Sequence, residues 1–179
     1  MRKADLDDSR GRLTKDGIRI HEPADFAGMR AAGGLAAAIL DEVAALVVPG
    51  AATEELDDFI RNRVEDSGAV SATIGYKGYR HASCISVNHV VCHGIPGPKR
   101  LKDGDILNID VTVILDGWFG DTSRMYVAGN LPRRAERLVD VTHDALMKGI
   151  AAVRPGNTFG DIGHAIQTHV ETNRMSVVR

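Results

Sequence analysis

Apolar residues recur at helical spacing in the first part of the chain. Residues 25–50 place their apolar side chains on one face of a helix, and the Pro49-Gly50 dipeptide ends the pattern. A second helix is predicted to begin at Thr53, a candidate N-cap, and to end at Gly68, which suits a C-terminal cap. The two apolar faces are predicted to comprise Met29, Ala32, Ala36, Ile39, Val43 and Leu46 or Val47 in the first helix, and Leu56, Phe59, Ile60 and Val64 in the second.

The same organisation returns 106 residues later. Helical patterns cover residues 134–153, which end before Pro155-Gly156, and residues 160–172, and an ungapped alignment at this offset matches apolar positions to apolar positions. Two amphipathic helix pairs share their periodicity, so coincidence is the alternative, but the shared Pro-Gly punctuation favours a repeat. We therefore predict a polar N-terminal arm (1–22), a first repeat (23–130) and a second repeat (131–179) that is incomplete because it lacks a hairpin.

Three short β-type segments follow the first helix pair: 69–74, 83–87 and 105–115. Asp116-Gly117 then stands between two β-type runs, which is a strong signal for a two-residue hairpin. Such a hairpin pairs residue 115 with 118, 112 with 121 and 110 with 123. Because side chains alternate between faces along a strand, Asp110 and Asp121 are predicted to be diagonal neighbours on one face, roughly 7–8 Å apart at the backbone.

Two ionised carboxylates on adjacent strands repel each other and lose solvation, and a divalent metal ion or a close pair of ions relieves both costs. The spacing therefore indicates a metal site. The residues alone leave three alternatives open. A bulge at Gly120 would slip the register and move Asp121 to the other face, Asp121 could cap a local turn with Thr122-Ser123, and Asp110 could pair with a buried arginine.

Composition narrows the class of function. The chain has 179 residues, 44% hydrophobic and 26% charged, with a formal net charge of -2, so neither nucleic acid nor an anionic membrane is indicated as a partner. No apolar run approaches the length of a membrane span, and residues 1–20 lack the apolar segment of a secretory signal. The two cysteines, Cys84 and Cys92, are expected to be free core thiols in a reducing cytoplasm.

The segment "GYKGYRHASCISVNHVVCHGIPGPKRLKDGDILNIDVTVILDGWFGDTSRMYVAG" closely resembles the type I methionine aminopeptidases of bacteria and organelles. The similarity extends from about Pro23 to Arg179, and "VNHVVCHGIP", "LKDGDILNIDVTVI" and "GDTS" occur in the order of that family. The resemblance implies an α+β pita-bread (creatinase/aminopeptidase) fold, in which two pseudo-symmetric halves form a curved antiparallel sheet with flanking helices, the second half being truncated here. It also implies metal-dependent removal of the initiator methionine.

The resemblance also assigns roles to individual residues. It implies metal binding by Asp110 and Asp121, catalysis and substrate binding by His93, and positions near the methionine pocket for Tyr76, Tyr79 and Cys84. Thr73 and Arg80 replace a cysteine and a proline that are common in the family, which changes the details of the pocket. From the residues alone, the alternatives are a surface histidine, loop packing of the tyrosines and a core thiol.

The resemblance further implies two divalent ions of cobalt, manganese, iron or zinc, with N-terminal methionyl peptides and nascent chains at the ribosome as substrates of a cytoplasmic monomer. Three more family ligands, a histidine and two glutamates, would lie beyond Arg179. The chain alone is therefore expected to be inactive, poorly stable and little stabilised by metal. Two other functions remain as alternatives: a non-catalytic pita-bread binding module, and a proline-peptide hydrolase of the same fold.

Overall fold

A computed structural model of the protein describes residues 10–178, so part of the predicted N-terminal arm and the last residue lie outside the described range. The described chain forms two compact units, which divide between Asn130 and Leu131. All the strands of the described chain belong to the first unit, and the second unit consists of two helices and their connections.

The first unit opens with two short antiparallel strands, β1 (Arg12–Leu13) and β2 (Arg19–Ile20). Two helices and four strands follow: α1 (Phe26–Val43), α2 (Thr53–Asp66), β3 (Val70–Ser71), β4 (Ser83–Val87), β5 (Asp105–Leu115) and β6 (Trp118–Ala128). The second unit comprises α3 (Arg133–Ala151) and α4 (Phe159–Thr172). The four predicted helices are therefore confirmed, and β4 and β5 have the predicted bounds, whereas β3 is shorter than the predicted segment.

The main sheet is built around β5. Strand β6 pairs with β5 along its whole length on one edge, while β4 and β3 pair with successive parts of the other edge, and all pairings are antiparallel. Asp116 and Gly117 join β5 to β6 with φ angles of 49° and 78°, the left-handed backbone that a type I′ hairpin requires. The register is the predicted one and pairs Leu115 with Trp118, Thr112 with Asp121, and Asp110 with Ser123.

Alternation along β5 divides the sheet into a buried face and an open face. The odd-numbered residues Ile109, Val111 and Val113 are fully buried and belong to the core that packs on α1 and α2. The two helices contribute Ala36, Ile39, Leu40, Val43, Leu56, Ile60 and Val64 to this core. The even-numbered residues of β5 point the other way, so Asp110 and Thr112 present their polar side chains on the open face.

The first turn of α1 departs from the predicted apolar face. Met29 is 46% exposed, whereas Ala32 and Ala36 are buried. A Cβ atom placed on Gly28 would overlap the indole of Trp118, so position 28, four residues before Ala32, faces the sheet. The buried stripe therefore continues through position 28 rather than 29, which turns Met29 toward solvent.

Gly120 allows a close helix contact and is not a bulge. Its pairing with Val113 lies within an unbroken β5–β6 ladder, which also excludes the slipped register. A Cβ atom at position 120 would overlap the carbonyl group of Ala32 in α1. Glycine therefore lets the helix backbone approach the strand backbone directly, and this contact fixes α1 over the residue that precedes Asp121.

The ends of α2 confirm one predicted cap and correct the other. Gly68 follows the helix with a φ angle of 70°, as expected for a left-handed C-terminal residue. Thr53 is the first helical residue rather than the N-cap, and the Ala52 N–H is accepted by the Glu55 carboxylate at 2.8 Å. The Thr53 hydroxyl donates to the Gly97 carbonyl and accepts from the Gly97 N–H, both at 3.0 Å, and so fastens the loop before β5 to α2.

The β1–β2 hairpin lies against the turn between β5 and β6. Arg10 donates to the backbone carbonyl of Asp116 at 2.9 Å, and its guanidinium carbon lies 4.7 Å from the centre of the Trp118 ring. The His21 ring is 5.1 Å from the same indole. A cation–π contact and a ring contact therefore anchor the described part of the arm.

The second unit is held together by the contact between α3 and α4. Gly149 of α3 is buried, and a Cβ atom there would meet the Ile166 side chain of α4 at 2.8 Å. Thr158 caps α4 together with Asp161. Large apolar side chains that remain exposed in this unit include Leu138, Leu146, Met147, Ile150, Val153 and Phe159.

The predicted internal repeat stays a prediction. No helix within residues 10–178 combines the length and apolarity needed to cross a membrane.

Gly120→Ala is expected to destabilise the chain by about 1–3 kcal/mol, because the added methyl group overlaps the α1 backbone and forces helix and sheet apart. Gly34→Ala is the matched control within α1. It meets no atom of a neighbouring element within 4 Å and gains helix propensity, so it should stabilise the chain by about 0.5–1 kcal/mol. Urea unfolding followed by circular dichroism measures both free energies. An unchanged free energy of unfolding for Gly120→Ala would contradict the close contact.

Candidate active-site cleft

The open face of the sheet carries a cleft of about 640 Å³ in the first unit. Its walls come from β4, β5 and β6 and from the loops on either side of β4. All the predicted site residues line it: Tyr76, Tyr79, Cys84, His93, Asp110 and Asp121. Thr73, one of the two departures from the family pattern, lines the same cleft. The fold thus brings these residues together, while their individual roles stay predictions.

Asp110 and Asp121 converge in this cleft. The β5–β6 ladder places Asp121 opposite Thr112, whose hydroxyl donates to the Asp121 carboxylate at 3.1 Å. Asp110 is half-buried, and its carboxyl group lies close enough to that of Asp121 for the two to interact directly. Asp121 lies inside β6 rather than in a local turn, and the charged groups that act on Asp110 are Asp121 and His93 rather than an arginine. The turn and arginine alternatives are therefore wrong.

The electrostatics of this pair favour a bound cation. The pKa of Asp110 is raised above its ordinary value of 3.8, first by burial and then by the charge of Asp121, while His93 acts in the opposite direction. A divalent cation would remove the repulsion between the carboxylates and replace their lost hydration, and carboxylate oxygens are ligands that such ions accept. Within residues 10–178, no group of three or more His, Cys, Asp and Glu side chains could hold a metal ion. Among these residues, the two aspartates are therefore not part of a larger cluster of such side chains.

Asp105, at the start of the same strand, has the opposite electrostatics. Burial alone would raise its pKa, but the Asn88 amide donates to it at 2.8 Å and the Lys102 N–H donates at 2.9 Å. Together with the positive charges of Lys99 and Lys102, these bonds bring the pKa of Asp105 below its ordinary value of 3.8. The charge of Asp105 is thus stabilised by neighbouring donors and lysines, and it stabilises the start of β5 without a bound metal ion.

His93 reaches the cleft from a constrained loop. Its φ angle of 54° lies in the left-handed region, which costs a residue with a side chain on the order of 1–3 kcal/mol. The next residue, Gly94, is docked on β4: its N–H donates to the Ser86 hydroxyl at 3.0 Å, and its carbonyl accepts from the Ile85 N–H at 2.8 Å. A Cβ atom at position 94 would overlap the Ile85 carbonyl. The docking of Gly94 therefore fixes where the exposed His93 side chain enters the cleft.

Tyr76 and Tyr79 stand on a turn that needs left-handed backbone at Gly75, Lys77 and Gly78. Tyr76 is 66% exposed. Tyr79 is partly buried, and its hydroxyl donates to the Ser83 carbonyl at 2.9 Å. Burial raises the pKa of Tyr79, so its phenol remains a neutral hydrogen-bond donor.

Cys84 is the half-buried thiol of the cleft. The β4–β5 pairing places it opposite Asp110, and its thiol lies close to the Tyr79 hydroxyl. Burial raises the pKa of Cys84, and the nearby Tyr79 hydroxyl opposes that effect. Cys92, by contrast, is exposed, because it lies in the surface loop between β4 and β5. The expectation of two core thiols is therefore wrong for Cys92.

Sequence reasoning misses one polar residue behind the cleft and one within it. Asp57 of α2 is buried and accepts hydrogen bonds from Ser83, the buried residue that precedes Cys84 in β4. A signal for it exists, because Asp57 lies three residues before Ile60 and seven before Val64, on the apolar face where a carboxylate needs partners. Thr112 bonds to a predicted ligand directly, as its place in the predicted register implies.

Comparison with known proteins finds a matching family and close relatives. The sequence model for metallopeptidase family M24 matches residues 27–179. A methionine aminopeptidase from Rickettsia prowazekii (strain Madrid E) is 54% identical over 162 residues, covering 90% of this chain and 62% of the relative. A methionine aminopeptidase from Escherichia coli (strain K12) is 49% identical over 167 residues, with the same coverages. The chain thus spans 62% of the length of these two relatives.

Solved structures show the same architecture. The crystal structure of methionine aminopeptidase from Rickettsia prowazekii matches with a TM-score of 0.89 at 54% identity, covering 90% of this chain and 65% of that one. The prolidase from Pyrococcus horikoshii OT3 matches with a TM-score of 0.75 at 16% identity, covering 85% and 42%, which shows a shared fold alone. The predicted pita-bread fold, an antiparallel sheet with flanking helices, is confirmed.

Asp110→Asn is expected to raise the Tm of the metal-free chain near neutral pH. Because the folded pKa of Asp110 is raised, its ionised form destabilises the folded state at pH values above the ordinary pKa of 3.8, and a neutral amide removes that cost. The gain should disappear as the pH falls below that value, where both states are protonated. Circular-dichroism melts in EDTA between about pH 3 and 7 measure the effect.

Asp105→Asn, on the same strand, is the matched control, and its Tm should change in the opposite direction. The lowered pKa of Asp105 means that its charge stabilises the fold above pH 3.8, and this contribution is lost as the pH falls through the lower folded pKa. The substitution should therefore lower the Tm near neutral pH. A Tm that falls for Asp110→Asn as it does for Asp105→Asn would contradict the repulsion assigned to the cleft.

Proposed function

Given that the chain belongs to metallopeptidase family M24, we propose that it carries the substrate cleft and two metal ligands of a methionyl aminopeptidase, which removes the initiator methionine from nascent polypeptides. The observation that carries this proposal is the convergence of Asp110, Asp121 and His93 in one cleft. The identity with methionine aminopeptidases, 54% and 49% in the two relatives above, supports this activity over others of the same fold.

Asp110 and Asp121 fit a divalent metal, since their repulsion and partial burial are the costs that a cation removes. We propose two ions, of cobalt, manganese, iron or zinc, with the remaining ligands supplied by a segment of the kind that the relatives have outside the matched region. When bound, such ions polarise a carbonyl group and lower the pKa of water. Thr112, which donates to Asp121, orients that carboxylate and leaves its other oxygen for the cation.

The other cleft residues bind and orient the peptide. His93 donates a hydrogen bond to the scissile amide and stabilises the negative charge that develops on its oxygen. Its strained backbone and the docked Gly94 hold the imidazole in place before substrate arrives. Tyr76, Tyr79 and Cys84 form an aromatic and thiol surface that suits an unbranched thioether side chain.

The two alternatives predict different behaviour. A proline-peptide hydrolase shares the fold, but the prolidase similarity is 16% identity, which supports no transfer of substrate. A module built for binding alone would gain nothing from keeping Asp110, Asp121 and His93 together in one cleft. We place the enzyme in the cytoplasm as a monomer that meets nascent chains at the ribosome, in keeping with its free thiols.

The proposal is tested by methionine release from a methionyl tripeptide with manganese or cobalt. The 179-residue chain alone is expected to release no methionine, because its described residues provide a partial ligand set. A chimera that appends the uncovered C-terminal part of the Rickettsia relative should release methionine. In that chimera Asp110→Asn should lower kcat/KM by more than about 100-fold, since a ligand charge is removed at constant size.

Asp105→Asn in the chimera is the control, because Asp105 stabilises the same strand without reaching the cleft. It should lower Tm and leave kcat/KM within about threefold of the parent. Release of proline-linked dipeptides without methionine release would favour the proline-peptide hydrolase. A folded, metal-loaded chimera with neither activity would favour a binding module, and turnover by the chain alone would refute the partial ligand set.

A further inference from the structure

Asp57 is a buried carboxylate that the proposed chemistry does not use. It lies on α2 and is 1% exposed. Its Oδ1 atom accepts the Ser83 N–H at 2.8 Å and the Ser83 hydroxyl at 2.7 Å, and its Oδ2 atom lies 3.1 Å from Nδ1 of His81. A buried carboxylate is tolerated only when such partners replace water. Asp57 therefore holds both residues at fixed positions against α2.

Both partners of Asp57, Ser83 and His81, contact the same cleft residue, Tyr79. Its hydroxyl donates to the carbonyl of Ser83, whose own N–H and hydroxyl are bound by Asp57. Its ring packs edge-on against His81, with 5.5 Å between ring centres. The Tyr79 hydroxyl in turn lies close to the Cys84 thiol in the cleft and lowers its pKa. One carboxylate is thus connected to the phenol group of Tyr79 through Ser83 and to its ring through His81.

Arg61 completes the network on α2. Its guanidinium lies 3.7 Å from Oδ2 of Asp57 and donates to the Arg80 carbonyl at 2.8 Å. The segment 80–83 is therefore attached to α2 at its start, middle and end, and the charge of Asp57 has a cation beside it. Buried polar groups that are bonded in this way act as a unit.

We propose that Asp57 is a positioning residue of the cleft, which orients Tyr79 through Ser83 and His81 and thereby sets the shape of the wall formed by Tyr79 and Cys84. The residue touches no substrate and acts only through that wall. That the wall receives a methionyl side chain rests on the proposed function, whereas the positioning of Tyr79 by Asp57 does not.

The test is a double-mutant cycle between Asp57→Asn and Tyr79→Phe, measured as the rate at which iodoacetamide alkylates Cys84 in a Cys92→Ser chain. Asn preserves size but weakens the charge-assisted bonds, and Phe removes only the hydroxyl that bonds to Ser83 and acts on the Cys84 thiol. Each substitution should change the rate about threefold or more and in the same direction, because a displaced or missing hydroxyl alters both the access to the half-buried thiol and its pKa. The double variant should react at the rate of Tyr79→Phe alone, because both substitutions act through one side chain.

Rates that multiply in the double variant, or an Asp57→Asn rate equal to that of the parent, would overturn the proposal. Asp58→Asn is the matched control on the exposed side of α2 and should leave the rate unchanged. An equal change of the rate in Asp58→Asn would mean a general loosening of the helix and would also overturn it. If circular dichroism shows that Asp57→Asn is unfolded, His81→Ala, which breaks only the Oδ2 bond, enters the same cycle with the same expected result.

Adding L-methionine separates this inference from the proposed function. Protection of Cys84 from alkylation in the parent chain supports a methionine pocket, and loss of that protection in Asp57→Asn supports the positioning role. Absence of protection in a chain whose cycle is non-additive counts against the methionine pocket and still supports Asp57 as the residue that positions Tyr79. If L-methionine protects Cys84 equally well in Asp57→Asn, the proposed effect of Asp57 on the pocket is overturned.

Discussion

Backbone pairing between β5 and β6 runs without interruption from the Asp116-Gly117 turn to the far ends of both strands, and the rest of the first unit depends on it. The pairing sends Val111 and Val113 into the core and Asp110 onto the opposite face. A slip of one residue would exchange the two sets and bury a charge in the core. The left-handed turn and the helix contact at position 120 both favour the observed register.

Two aspartates of β5 have pKa values shifted in opposite directions because their surroundings differ. Asp105 is surrounded by amide donors and lysines, so its charge stabilises the fold. Asp110 faces a second carboxylate in a half-buried position, so its charge is a cost to the fold that the buried apolar core must outweigh. Such a cost is characteristic of residues retained for binding or chemistry, and the direction of the pKa shift distinguishes the two kinds of carboxylate.

Local chemistry in the sequence was sufficient to predict the hairpin and the pairing of its aspartates. An Asp-Gly pair between alternating runs specified the turn, and strand alternation then placed Asp110 and Asp121 on one face. Sequence patterns were insufficient to predict a residue's role where its contacts come from segments distant in the chain. Gly120 looked like a bulge because the strand pattern carries no information about the helix above it, and Asp57 was overlooked because its partners His81 and Ser83 are 24 and 26 residues away.

The resemblance supplied predictions that local patterns could not, namely the expected roles of residues in loops. His93 and Tyr76 are exposed, and neither periodicity nor burial would single them out. Cys92 and Met29 show the converse, since apolar character alone predicted that both would be buried. Cys92 is exposed because it lies in a surface loop, and Met29 is exposed because the buried face of α1 passes through position 28 instead.

The sequence separations in the hairpin also bear on the order of folding. Thr112 and Asp121 are nine residues apart, whereas the bonds that hold α1 to β6, from Tyr126 to Leu40 and from Arg124 to Asp41, span 86 and 83 residues. Short loops close quickly and long ones slowly, so the hairpin is expected to form well before the helix packs on it. The two aspartates would then become neighbours while the hairpin is still solvated, where water and salt screen their repulsion. The free-energy cost of their repulsion would arise mainly in the late stage of folding, when the surrounding loops exclude solvent.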